Sequence, residues 1–203
     1  MKHKLPKHRE KPSIRLERCQ KAIDESPDSA VAHYNMGLAN AAVGKLIAAE
    51  KCYLRATELA PTLTEAWVNL GGVRLLLWDF KGCLEATEKA VELRADLPLA
   101  HHNMGQAYLY LNDPENLVRC TRRVLELERD NAAAHYYTAV GLLATGDTGG
   151  AERHLGRAIE LGHRPTPELI KALDAAVKKS ARKNVNLIEI SGVKKAPENK
   201  KEE

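Results

Sequence analysis

Asparagine recurs at the evenly spaced positions 35, 69 and 103, and Tyr137 takes the next place in that series. A carboxamide offers two N–H donors and one acceptor oxygen, so a row of them can hydrogen-bond the backbone amides of another polypeptide without reading its side chains. Around Asn35, Asn69 and Asn103 lie side chains suited to anchoring such a ligand: Tyr34, Tyr110, Tyr136 and Tyr137, with His102, Val68 and Leu76. Binding hot spots are enriched in tyrosine, tryptophan and arginine. At about 1 kcal/mol net per neutral hydrogen bond, three amides contribute roughly 3 kcal/mol, near a hundredfold in affinity. The aromatic anchors have to supply the remainder.

Other chemistries find no support in the spacing. His33, His101 and His135 also recur in phase, but metal ligands must converge within about 2 Å of one ion, and equivalent places in successive repeats read as core positions. His101 and His102 are adjacent, so on a helix they point about 100° apart. Cys19, Cys52, Cys83 and Cys120 form no Cys-x-x-Cys pair and read as reduced core thiols. Gly141 to Thr148 has the glycine spacing of a phosphate loop, yet Asp147 stands where the lysine is required and would repel phosphate. No Ser-His-Asp or Cys-His pair has local support, so no catalysis, metal or cofactor is expected.

The elements that position these residues follow from self-similarity. Ala66-Trp67-Val68-Asn69-Leu70-Gly71 has a copy upstream, Ala32-His33-Tyr34-Asn35-Met36-Gly37, and another at the same interval downstream, Ala100-His101-His102-Asn103-Met104-Gly105. Ala134 to Ala139 is a degraded fourth. A fixed period of about 34 residues predicts one helical hairpin repeated in a stack, each unit burying its apolar face against its neighbours. Gly44, Asp79, Asn112-Asp113-Pro114 and Gly146-Asp147 fall at one phase as turn formers. On each first helix, places 4, 7, 8 and 11 point into the hairpin, while places 2, 5, 6, 9, 12 and 13 lie roughly opposite. That second face is apolar too, with Val31 and Leu38, Leu75 and Leu76, Leu99 and Leu109, Val140 and Leu143. A helix apolar on both sides is buried on both or presents a binding surface. Neighbouring first helices must cover part of the stripe, and place 6, the asparagine place, is expected to stay open.

These residues resemble the tetratricopeptide repeat family, whose pattern is Trp-x2-Leu-Gly-x2-Tyr, then Ala-x3-Phe, then Pro. Trp67, Leu70 and Gly71 carry it most fully, Ala49, Tyr53, Ala56 and Pro61 supply the second half, and Leu117 and Thr121 depart from it with bulkier side chains. The expected organisation is a basic arm at 1–12, an N-terminal half-repeat at 13–29, and repeats at 30–63, 64–97, 98–131 and 132–165. A capping helix at 166–180 and a Lys-rich tail at 181–203 complete it. The resemblance implies an all-α, right-handed superhelical solenoid of stacked antiparallel helix pairs, with place 6 facing a concave groove. In the O-linked N-acetylglucosamine transferases of that family, similar asparagines form a ladder on the ligand backbone. The chaperone-binding members hold a C-terminal carboxylate with Lys and Arg, whereas the corresponding places here are Tyr34, Leu38, Leu99 and Asn103. A heat-shock chaperone tail is therefore not the expected ligand.

The chain has 203 residues and a net charge of +4, unevenly placed. Residues 1–12 carry five basic and one acidic side chain and residues 178–203 eight and four, so the ends sum to +8 and the body to −4. A mildly acidic body argues against nucleic-acid binding, which needs its own positive face. No stretch approaches the roughly 18 apolar residues of a membrane span, and Met1 to Pro12 lacks a signal-peptide core, so a cytoplasmic location is expected. The reading is a non-catalytic scaffold or adaptor that binds an extended peptide or helix of a partner protein. The alternatives are RNA binding through the basic arms, and self-association in which the apolar patch Val185 to Val193 of the tail occupies a groove.

Overall fold

The computed structural model describes residues 11–179 and 190–193. The arm at 1–10 and the tail at 180–189 and 194–203 lie outside the described residues, and with them most of the Val185 to Val193 patch. Among the described residues the chain forms helices α1 (Pro12–Glu25), α2 (Ala30–Ala42), α3 (Leu46–Leu59), α4 (Thr64–Leu76) and α5 (Phe80–Leu93). They continue as α6 (Pro98–Tyr110), α7 (Pro114–Leu127), α8 (Ala132–Thr145), α9 (Thr148–Glu160) and α10 (Pro167–Lys179). The fold is an all-α, right-handed superhelical solenoid. Helices α2/α3, α4/α5, α6/α7 and α8/α9 pair as hairpins, α1 packs on α2, and α10 packs on α8 and α9. No helix among the described residues is long and apolar enough to cross a membrane.

Each hairpin turns at the same phase. Gly44, Trp78, Asn112 and Gly146, one period apart, have φ of 76°, 65°, 57° and 90°. The left-handed residue is thus one before the expected Asp79, and the aspartates have a different task. Asp79, Asp113 and Asp147 accept a hydrogen bond from the backbone N–H three residues on, at Gly82, Asn116 and Gly150, and so cap α5, α7 and α9. The left-handed conformation is sterically unfavourable for a residue as bulky as tryptophan. Trp78 is held there by edge contacts to Phe80 at 6.1 Å and Tyr110 at 5.3 Å between ring centroids.

The recurring histidines have a structural role that explains their alternation with tryptophan. His33 Nε2 lies 2.8 Å from Pro27 O, Trp67 Nε1 2.8 Å from Pro61 O, His101 Nε2 2.9 Å from Ala95 O and His135 Nε2 3.2 Å from Arg129 O. A carbonyl can only accept, so each ring N–H donates, always to the residue six positions earlier. These bonds tie each inter-hairpin loop to the helix that follows it.

Within a hairpin the two helices meet at place 8. A Cβ on Gly37 would stand 2.5 Å from Tyr53 Cε1, and one on Gly71 2.5 Å from Thr87 Cγ2 and 3.3 Å from the Cys83 carbonyl oxygen. In the third hairpin the contact is looser, since a Cβ on Gly105 meets nothing closer than Thr121 Cγ2 at 3.5 Å. Gly37→Ala and Gly71→Ala should therefore each lower unfolding free energy by about 1–3 kcal/mol, because buried Tyr53 and Thr87 have nowhere to move. Gly105→Ala should be neutral or gain up to about 1 kcal/mol from helix propensity. Urea denaturation of the three variants checks the contrast.

Candidate functional site

The three asparagines do not share one environment. Asn35, on α2, is exposed and borders a recess of about 320 Å³ lined by Arg15, Arg18, Cys19, Ala22 and Ala32. Asn69, on α4, is half-buried, and its Nδ2 donates to Tyr34 Oη at 3.2 Å and to Glu65 O at 2.9 Å. What its amide offers a ligand is the acceptor oxygen. Asn103, on α6, is only 6% exposed. Its Nδ2 lies 3.3 Å from where a Cβ on Gly72 would stand, so the missing side chain of Gly72 lets α4 close over it. The expectation that neighbours leave place 6 open thus fails in the third hairpin: first helices α4 and α6 touch directly.

The apolar stripe splits in the same way. Val31, Leu76 and Leu99 are 60%, 61% and 55% exposed, far above what a core side chain shows. Val68, Leu109, Tyr136, Val140 and Leu143 are buried. Most of these covered members belong to the core cluster shared by the third and fourth hairpins and α10, where Leu169 and Leu173 of α10 pack against them. The bland explanation, burial between neighbours, holds for the C-terminal half of the wall. Toward the N-terminus Val31 and Leu76 stay open, with Leu99 at the start of α6, while Val68 of α4 is covered by Ala90 and Leu97.

Aromatic side chains run along the wall in two groups. Tyr110 stacks on Phe80 with centroids 4.7 Å apart and planes 6° from parallel, beside Trp78. His102 meets Tyr137 at 6.4 Å, Tyr137 meets Tyr136 at 5.3 Å, and Tyr136 meets His163 at 4.3 Å. Tyr34 lies 5.9 Å from Tyr53. Trp78, Phe80 and His163 were not read from the sequence as part of this surface. Two aromatics flanking the Asp79 cap were the available signal.

Burial decides the ionisation of these groups. Gln106 Nε2 lies 2.7 Å from His102 Nε2, and an amide nitrogen can only donate, so His102 carries its proton on Nδ1 and is neutral. Burial pushes its pKa below the ordinary histidine value, against the opposing pull of Glu128. Burial also raises the phenols of Tyr110, Tyr136 and Tyr137. The thiols of Cys83 and Cys120 are pushed up to about 12 and about 11 by burial. Neither is a thiolate nucleophile at neutral pH.

A recess of about 690 Å³ lies elsewhere, among α7, α8 and α9. Within it Arg157 pairs with Asp130 at 2.6 Å, and also with Glu160 at 2.9 Å. His135 and His154 face each other there with Nδ1 atoms 3.0 Å apart. His135 Nε2 donates to Arg129 O, so a neutral His135 ring accepts at Nδ1 from His154. The Gly141 to Thr148 segment is the end of α8, the left-handed Gly146 and the Asp147 cap of α9, and it forms no phosphate cradle.

Residues 30–63 and 99–131 match the family model described as tetratricopeptide repeat. Among solved structures, MamA (residues 41 to the end) from Desulfovibrio magneticus RS-1 is 21% identical, covering 74% of this chain and 85% of that one, with a TM-score of 0.69. A second MamA crystal structure is 15% identical over 72% of this chain and 85% of that one, also at 0.69. YrrB, described as a TPR protein with an unusual peptide-binding site, is 20% identical over 87% of this chain and 91% of that one, at 0.70. Comparison with curated proteins finds no match. At these identities the likeness establishes the fold.

His102, His154 and His163 all have folded-state pKa values below the ordinary one, with burial the leading cause. The unfolded chain therefore binds more protons in this range, and stability rises with pH. The contribution is complete above the unfolded value near 6.5 and drains away as pH falls through the depressed folded values. Denaturant midpoints should drop between pH 7.5 and 5.5, and His102→Gln should flatten part of that drop.

Proposed function

We propose that this chain, a member of the tetratricopeptide repeat family, is a non-catalytic scaffold whose first-helix wall holds an extended or helical segment of a partner protein. The observation that carries the reading is the open N-terminal half of the wall. There the exposed Val31 and Leu76 stand on the same first helices as Asn35 and Asn69, with Tyr34 beside them and the exposed Leu99 at the start of the next first helix, α6. Isolated exposed apolar residues are ordinary, but Val31, Leu76 and Leu99 lie on three successive first helices of one stack, the pattern of an interaction surface. The two accessible amides contribute roughly 2 kcal/mol of backbone capture, about thirtyfold in affinity, and the apolar row supplies the remainder.

The chemistry of the wall narrows the ligand. Tyr34, Leu38, Leu99 and Asn103 stand where a carboxylate clamp would need cations, so the four clamp places offer a chaperone C-terminus no counter-charge. A body with net charge −4 between basic ends supports a protein partner over a nucleic acid. The cytoplasm is the compartment that fits four unpaired cysteines.

Asn35→Ala with Asn69→Ala should weaken partner capture about thirtyfold, and Leu76→Asp with Leu99→Asp should abolish it. Helical content by circular dichroism should hold in both, because none of the four side chains is buried. Native pull-down read by mass spectrometry measures capture. Undiminished capture by both double variants moves the site off this wall.

A further inference from the structure

The C-terminal end of the wall is already occupied. Ile190 and Ser191, at the end of a helical turn, are each 4% exposed, and they come from a segment separated from the end of α10 by positions 180–189. Two hydroxyls on different elements capture two consecutive backbone carbonyls of this segment: Thr166 Oγ1 donates to Ile190 O at 3.1 Å and Tyr136 Oη donates to Ser191 O at 2.8 Å. Thr166 Oγ1 accepts from Leu169 N at 3.3 Å at the start of α10, which fixes the hydroxyl that does the donating. The Ile190 side chain joins the cluster of Tyr136, Leu169 and Leu173, and Val193 packs at its edge.

Gly192 shows how selective the seat is. Its φ is +67°, and a Cβ there would collide with Thr166 Cγ2. The seat thus accepts an aliphatic residue, a small residue and a left-handed glycine, followed by a second aliphatic. Main-chain capture combined with one buried side chain is how peptide-recognition domains hold short ligands.

We propose that the pocket formed by Tyr136, Thr166, Leu169 and Leu173 is a peptide-binding subsite whose resident ligand is the chain's own Ile190–Val193. The tail then acts as a tethered competitor of any partner segment with the same aliphatic-small-glycine-aliphatic chemistry. The inference rests on reading the first-helix wall as a binding surface, since Tyr136 is continuous with Tyr137 and His102. Tethering places the tail at an effective concentration on the order of 1 mM. If its intrinsic affinity is about 0.1 mM, it fills the pocket about nine-tenths of the time and weakens an outside ligand about tenfold.

The test uses the full chain and a fluorescein-labelled peptide of residues 184–197 followed by anisotropy. Ile190→Asp in the full chain empties the pocket, and it should bind the peptide about tenfold more tightly than the wild type does. Adding Tyr136→Phe should weaken that binding severalfold, and a peptide carrying Ile190→Asp should not bind. Gly192→Val is a second way to evict the tail, uncharged and at an exposed residue, and should behave like Ile190→Asp. If both variants stay folded yet bind the peptide no better than wild type, the subsite does not exist. If both lose the cooperative helical transition, the tail is part of the core and not a ligand. A wild-type chain that sediments as a dimer and becomes monomeric on Ile190→Asp would place the tail on a second copy and overturn the tethered arrangement. The pull-down variants at Asn35, Asn69, Leu76 and Leu99 leave this pocket intact, so the scaffold reading and the tail reading fail separately.

Discussion

The close approach of the two helices at place 8 is the constraint on which the rest depends. Gly37, Gly71, Gly105 and Ala139 occupy it, and the first two have no room for even a methyl group. In the first two hairpins that contact fixes how closely the helices approach, and the repeat lays successive first helices side by side so that equivalent places come into line. The ring N–H bonds from His33, Trp67, His101 and His135 then pin each loop to the helix it introduces. Because the acceptor is a backbone carbonyl, the only demand on the residue is a flat, mostly buried ring with an N–H at its far edge. Histidine meets it as well as tryptophan.

A solenoid gives each unit the same neighbours, yet the wall here is uneven. At its N-terminal end α1 packs on α2 through Cys19, Met36 and Ala39, and Val31 and Asn35 stay exposed. Toward the C-terminus α10 and the Ile190 segment close over Tyr136, Val140 and Leu143. The wall is therefore partly exposed at one end and covered at the other. Exposed apolar side chains at one end and a satisfied polar seat at the other are different kinds of surface.

Much of the architecture was legible in the chain. The fixed-period echo, the Gly and Asp turn signals and the small place-8 residues announced the hairpins, which α1 and α10 flank. Less of the candidate site was legible. Asn35, Asn69 and Asn103 are interchangeable on paper, but in the fold one is exposed, one is tied to Tyr34 and Glu65, and one is covered beside Gly72. Tyr110, one of the candidate anchors on paper, is the third member of a cluster with Trp78 and Phe80.

The division has a physical basis. Periodicity, turn chemistry and helix pairing act between residues close in the chain or one repeat apart, and a single sequence displays such relations directly. Which equivalent side chain stays in water depends on what arrives from elsewhere: the absent side chain of Gly72 opposite Asn103, or Ser191 meeting Tyr136 from 55 residues away. Those encounters are set by packing in three dimensions, and the repeat pattern carries no record of them.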